Sequence, residues 1–224
     1  MVHKVAELLH VYQELFPTKF PYLKWIIRDL GVMKIMLNPD VMPINKRPYQ
    51  LNPKYKEKVW QELDKMFNAC IIEPLEESDW VSPMVVQERK WKGKIGISIY
   101  LWKLNDACLH DPFLQPFTDE VLENVSGQEA YSFTNGFSGY IQINIVPEDR
   151  RKRTFAIEWA CFQYTIMPFG LKKAVVIFSQ LVIKVFKDFI HKFLELYFDD
   201  WTVFGLVKHH VFSLRLMLDT CWRY

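Results

Sequence analysis

The chain has 224 residues, of which 50% are hydrophobic by type and 16% aromatic, with a net charge of +2. That excludes a disordered chain, which would be poor in apolar residues and far from neutral, and it excludes a grossly basic nucleic-acid protein while leaving room for a local basic surface. Only 8 residues are Gly, about half the usual level of roughly 7%, so each is worth locating.

Residues 3–15 predict an amphipathic helix with Val5, Leu8, Leu9, Tyr12 and Leu15 or Phe16 on one face, stopped by Pro17 and Pro21. Residues 39–53 carry four prolines and read as an extended connector. Asn52-Pro53 opens a second helix to about Asn68, with Val59, Leu63, Met66 and Phe67 as its buried face. Residues 84–90 and 94–100 read as a β-hairpin; 131–135, 153–159 and 161–166 are further strands. A long apolar helix runs from Leu171 to about His191, a second hairpin joins 193–198 to 201–205, and a last helix covers Val207 to Cys221. Strands that pair as hairpins between irregularly placed helices predict an α+β fold. No stretch is long and apolar enough to predict a membrane span. Cysteines 70, 108, 161 and 221 have no metal-ligand spacing and read as free thiols of a reducing, intracellular compartment, cytoplasmic or nuclear.

Asp199-Asp200 is the sharpest chemical feature. A two-residue hairpin turn wants φ > 0 at both positions, which suits Asn-Gly or Asp-Gly. Asp-Asp there predicts backbone strain and adjacent like charges, which a divalent cation would relieve; Mg²⁺ favours such oxygen ligands. A solvent-exposed acidic turn is the plainer alternative. Met167-Pro168-Phe169-Gly170 bends the chain into the long helix, and Asn135-Gly136 is by itself a hairpin signal. Asn followed by Gly is also prone to deamidation, which here would create an acid. The run Arg150-Arg151-Lys152-Arg153 reads either as a phosphate-contacting surface or as a solvated turn, with a localisation signal as a further option.

Taken in order, SFTNGFSGYIQI (132–143), FAIEWACFQYTIMPFGLKKAVVIFSQ (155–180) and YFDD (197–200) resemble the reverse transcriptase of gypsy-type LTR retrotransposons. The resemblance extends upstream through RPYQLNPKYKEKV, IIEPLEESDWVSPMVVQ and KLNDACLHDPF, and covers roughly residues 30–224. It implies a right-hand polymerase with an antiparallel palm sheet. Fingers would occupy approximately 39–118 and 146–170, and palm 119–145 and 171–224, after a leader at 1–38. The thumb is expected to be absent. It further implies a primed RNA or DNA template and dNTPs as partners. Two Mg²⁺ ions would be held by Asp199 and Asp200, one activating the primer hydroxyl and one holding the triphosphate. Tyr140 matches the residue that blocks a ribose 2′ hydroxyl. Phe169 and Gly170 match the bend along the incoming nucleotide, Arg89 and Lys90 a basic fingertip. Arg150, Arg151, Lys152, Arg153 and Gln142 are assigned to nucleic-acid contact.

The departures from the family pattern predict impairment. Asn135 stands where the family has an Asp that bridges both metals, and an amide has no charge and one oxygen ligand. The expected loss is several kcal/mol, at least about a thousandfold in rate. Gly96 replaces an arginine that clamps triphosphate, Tyr100 replaces an Asp and Trp102 a second arginine. Ile141, Lys173 and Val175 replace the family's His, Asn and Pro. The alternative expectation is a silent remnant serving as a nucleic-acid-binding or protein-interaction module.

Overall fold

The computed structural model describes residues 2–16, 31–88, 95–109, 111–113 and 117–224. Helix α1 (Val2–Val11) is followed by a 3₁₀ turn, then α2 (Pro53–Asn68) and strands β1 (Ile72–Pro74), β2 (Val81–Glu88) and β3 (Ile95–Ile99). Short helices α3 (Trp102–Ala107) and α4 (Thr118–Val125) lead to β4 (Ala130–Asn135) and a 3₁₀ turn (Phe137–Gln142). After α5 (Pro147–Arg150) come β5 (Thr154–Ile157), β6 (Ala160–Tyr164), α6 (Lys172–Phe186), β7 (Leu194–Tyr197), β8 (Asp200–Gly205) and α7 (Val207–Arg223). The mixed α+β character expected from sequence is present.

The chain forms two compact units. One comprises Met1–Gly31, Pro112–Tyr140 and Val175–Tyr224, the other Val32–Asp111 and Ile141–Ala174. The second unit holds a five-stranded sheet in the order β1-β6-β5-β2-β3. Strand β5 lies at its centre, parallel to β2 and antiparallel to β6, and all four of its residues are buried. Helix α2 packs on β1 and β3 through Val59 and Leu63. Its start is fixed locally: Asn52 Oδ1 accepts the Lys54 N–H at 3.1 Å, and Pro53 takes a first-turn position that needs no N–H.

The first unit holds the antiparallel sheet β4-β8-β7. Val203 and Leu194, on one face, are fully buried, and α7 packs on β4 and β8. Buried His210 of α7 meets Ser132 Oγ of β4 at 2.8 Å through Nε2, and burial holds its imidazole below the usual range. Helix α1 lies on α7, where the Tyr12 hydroxyl donates to Asp219 and its ring meets Trp222 edge-on at 6.0 Å.

Several expectations need correction. The first helix stops at Val11 and continues as a 3₁₀ turn, and Leu9, Phe16 and Phe67 are exposed. The long helix ends at Phe186, five residues short of His191. The apolar pattern runs on because Phe189 packs on Phe193, 5.0 Å between ring centres, outside any helix. Asn135-Gly136 turns no hairpin: β4 pairs with the distant β8. Pro17 and Pro21 lie outside the described residues.

Candidate active site

The register Tyr197↔Asp200 leaves Phe198 and Asp199 as the two-residue loop of the β7–β8 hairpin, with Asp200 already in β8. The strain expected on the aspartates therefore sits elsewhere. Among the three, only Phe198 has a positive φ, +55°, an uncommon conformation for an aromatic residue. Its ring meets Tyr197 at 4.7 Å.

Strand pairing brings the third residue in. Asn135 is the last residue of β4 and pairs across the ladder with Asp200, so both side chains rise on one face. Asn135 Nδ2 donates to Asp200 Oδ1 at 2.8 Å and to Asp199 Oδ2 at 3.3 Å. The Gly136 N–H donates to the Asp199 carbonyl at 2.6 Å, which ties the turn to the end of β4. That bond also commits the nitrogen whose attack on the Asn135 side chain would begin deamidation. A Cβ at Gly136 would lie 2.6 Å from the Trp201 ring, and one at Gly139 2.6 Å from Phe178. Both glycines are therefore needed for close approach.

The orientation of the Asn135 amide follows from its neighbours. Turned over, its oxygen would face two carboxylates; as it stands, its two N–H groups do. Among the described residues no group of three His, Cys, Asp or Glu side chains could hold a metal ion. The donor set therefore does not fit the two-ion site that the family resemblance implies. Two carboxylates are present, and each already receives a bond from the Asn135 amide.

Tyr140 is 4% exposed, with its ring stacked on Phe178 at 4.4 Å and 25°. Burial first, and the Asp199 charge second, push its phenol up to about 12.

The remaining candidates among the described residues lie in the other unit. Phe169 is exposed and Gly170 has φ +95°. Asn105, which sequence reasoning misses, organises this bend. Its Nδ2 donates to the Gly170 carbonyl at 2.8 Å, and its Oδ1 accepts the Lys172 N–H at 3.0 Å, satisfying the first turn of α6. Its only sequence signal is its place in KLNDA. Gln142 ends the 3₁₀ turn, half-buried. Arg89 and Lys90 lie outside the described residues.

The basic run divides. Arg150 pairs with Glu73 at 3.1 Å, and Lys152 with Asp149 at 2.6 Å and the Ile35 carbonyl at 2.9 Å. Arg151 is exposed on a groove of about 1140 Å³ that also carries Lys46, Arg47, Glu76, Glu77 and Asp79, a lining of mixed charge. Arg153 is fully buried and stacked over Tyr164 at 5.5 Å. A phosphate-contacting role for Arg153 does not agree with that burial, because the side chain has no surface to offer.

No protein-family model matches the chain. The structure of Prototype Foamy Virus protease–reverse transcriptase superposes with a TM-score of 0.79 at 17% identity, covering 99% of this chain and 29% of that one. A foamy viral protease–reverse transcriptase in complex with RNA/DNA hybrid gives 0.77 at 18%, covering 98% and 29%. The fold is thus that of the retroviral reverse transcriptases. Among curated proteins, the genome polyprotein of Petunia vein clearing virus (isolate Hohn) is 28% identical over 209 residues, 91% of this chain and 10% of that protein. The Pol polyprotein of the Drosophila melanogaster transposon gypsy is 26% identical over 194 residues, 82% of this chain and 19% of that protein. Motifs, relatives and fold are all consistent with a gypsy-type reverse transcriptase domain, and the chain spans a minor part of the polyproteins it matches.

Proposed function

We propose that the chain is a fingers-and-palm module of a reverse transcriptase that engages primer–template and is impaired in DNA synthesis. The unit containing the five-stranded sheet corresponds to fingers and the unit containing β4-β8-β7 to palm. Nucleic acid as partner is supported by the likeness to the foamy viral enzyme bound to RNA/DNA hybrid. In this reading Tyr140, held by Phe178, borders the sugar of an incoming dNTP, and Phe169 and Gly170 line its path. Arg151 remains as a phosphate contact, and Arg150, Lys152 and Arg153 shape the unit that presents it.

The impairment rests on one observation: Asn135 Nδ2 stands 2.8 Å from Asp200 Oδ1, where polymerase chemistry needs a third carboxylate. The family's Mg²⁺ ions would supply charge neutralisation when bound, but a set of two acids and one amide does not fit two of them. What the chain's own groups do is hold Asp199 and Asp200 in position.

Primer extension on an RNA template with dNTPs and Mg²⁺ tests the reading. The expected result is no extension above background by this chain, a deficit of at least about a thousandfold, with product formed by Asn135→Asp. Robust extension by the unmodified chain would overturn the impairment. Failure of Asn135→Asp to extend would favour the module as a nucleic-acid-binding remnant. That alternative expects salt-sensitive binding of an RNA–DNA duplex; no binding at low salt would sink both.

A further inference from the structure

The mismatch between the expected metal site and the residues present has a positive side. We infer that Asn135 is a latch: its amide takes the place of a cation on the Asp199–Asp200 pair and holds that pair against cation entry.

The two carboxylates are adjacent in sequence and would repel each other. A single NH₂ group carries two donors, and here they serve two different acceptors, Asp200 Oδ1 at 2.8 Å and Asp199 Oδ2 at 3.3 Å. Hydrogen bonds to ionised acceptors are the strong kind. The arrangement does not depend on chance side-chain placement. The Asn135↔Asp200 pairing fixes one arm, and the bond from the Gly136 N–H to the Asp199 carbonyl fixes the other. Trp201 lies against the next residue, where a Cβ on Gly136 would come within 2.6 Å of its ring. A cation must therefore displace the amide before it can bridge the pair.

This differs from the simple loss of a ligand, and the two separate on one variant. If Asn135 were only a poor ligand, Asn135→Ala would bind cation equally or less well. As a latch, its removal should help, although it takes away an oxygen. The experiment is titration with Mn²⁺ alone, followed by the electron paramagnetic resonance signal of free Mn²⁺, with Asp199→Asn/Asp200→Asn as the blank for other sites. The expected order of affinity is wild type, then Asn135→Ala at least about threefold tighter, then Asn135→Asp tighter again, since it adds a charged ligand. Asn135→Ala equal to or weaker than wild type would overturn the latch.

Thermal unfolding supplies a second readout. Without cation, Asn135→Ala should melt below wild type, because the unscreened carboxylates repel; millimolar Mn²⁺ should restore it while leaving the wild type unmoved. A fall that Mn²⁺ does not reverse would also count against the latch. Asn135→Ser, too short to span both acids, should behave as Ala does. The inference rests on three side chains rather than on the polymerase reading. Failed extension by Asn135→Asp would overturn that reading and leave the Mn²⁺ order to decide the latch.

Discussion

Arg153 is costly to bury. It is fully buried, and its Nε, Nη1 and Nη2 have no hydrogen-bond partner among the described residues. The Tyr164 ring at 5.5 Å offers only a cation–π contact. Burial is the main force on the guanidinium and pulls its pKa down to about 9. A buried charge without hydrogen bonds is destabilising, and an apolar side chain of similar length should be better. Arg153→Met is expected to raise stability by about 1–4 kcal/mol in urea unfolding at pH 7. The pH dependence has a definite sign. Below pH 9 the guanidinium is charged in both states and the full penalty applies. Above pH 9 the unfolded chain binds the extra proton, so wild-type stability rises relative to the variant and the gap narrows. A variant less stable than wild type at pH 7 would mean that the guanidinium has a partner after all. In the sequence, Arg153 groups with its basic neighbours. The better signal lies on its other side, where Thr154 to Ile157 form a central strand covered on both faces, and that cover extends back one residue.

At the scale of elements, legibility followed local chemistry. Helix α2 was readable at both ends because an Asn cap and a first-turn Pro open it, and the β7–β8 hairpin because a two-residue loop separates apolar strands. Helices α3 and α4 were missed. They have six and eight residues and no side-chain cap, so neither periodicity nor capping announces them. The candidate site was half legible: its residues were named from the motif, but the bonds from Asn135 to both acids depend on a pairing 65 residues apart. The left-handed turn just past α2 is not legible in the sequence. There Cys70, exposed, takes φ +54°, and the Ile71 N–H reaches back to the Met66 carbonyl at 2.9 Å. That left-handed position after a helix normally belongs to Gly. Cys70→Gly relieves the conformational strain and loses some of the gain to unfolded-state entropy. A net increase of about 0.5–1 kcal/mol is expected in thermal or urea unfolding. Cys70→Ala, which keeps the strain, should gain nothing, and equal behaviour of the two would remove the argument.

At the scale of the molecule, the unit that carries Asp199 and Asp200 is assembled from three separated stretches of chain, including both ends. Its integrity therefore depends on contacts of great sequence separation, which reward the chain only after long loops close. One of them is specific. The Tyr12 hydroxyl donates to Asp219, 207 residues away, while its ring packs on Trp222. Asp219, through this hydrogen bond, raises the Tyr12 phenol above its usual value, so the bond persists across the neutral range. Tyr12→Phe deletes the hydrogen bond and keeps the ring, at an expected cost of about 1 kcal/mol. Tyr12→Ala removes both and should cost more, because α1 buries little else: Leu8 is its one buried residue. Native-state hydrogen exchange distinguishes a local from a global effect. In Tyr12→Phe, protection should fall in α1 and the last turns of α7, and remain in β2, β5 and β6 of the other unit. If protection falls equally in both units, the two are one cooperative body and α1 is no local clasp. If it falls in neither, α1 is held by its apolar contacts alone and the bond to Asp219 adds nothing to the stability of the unit that carries the two aspartates.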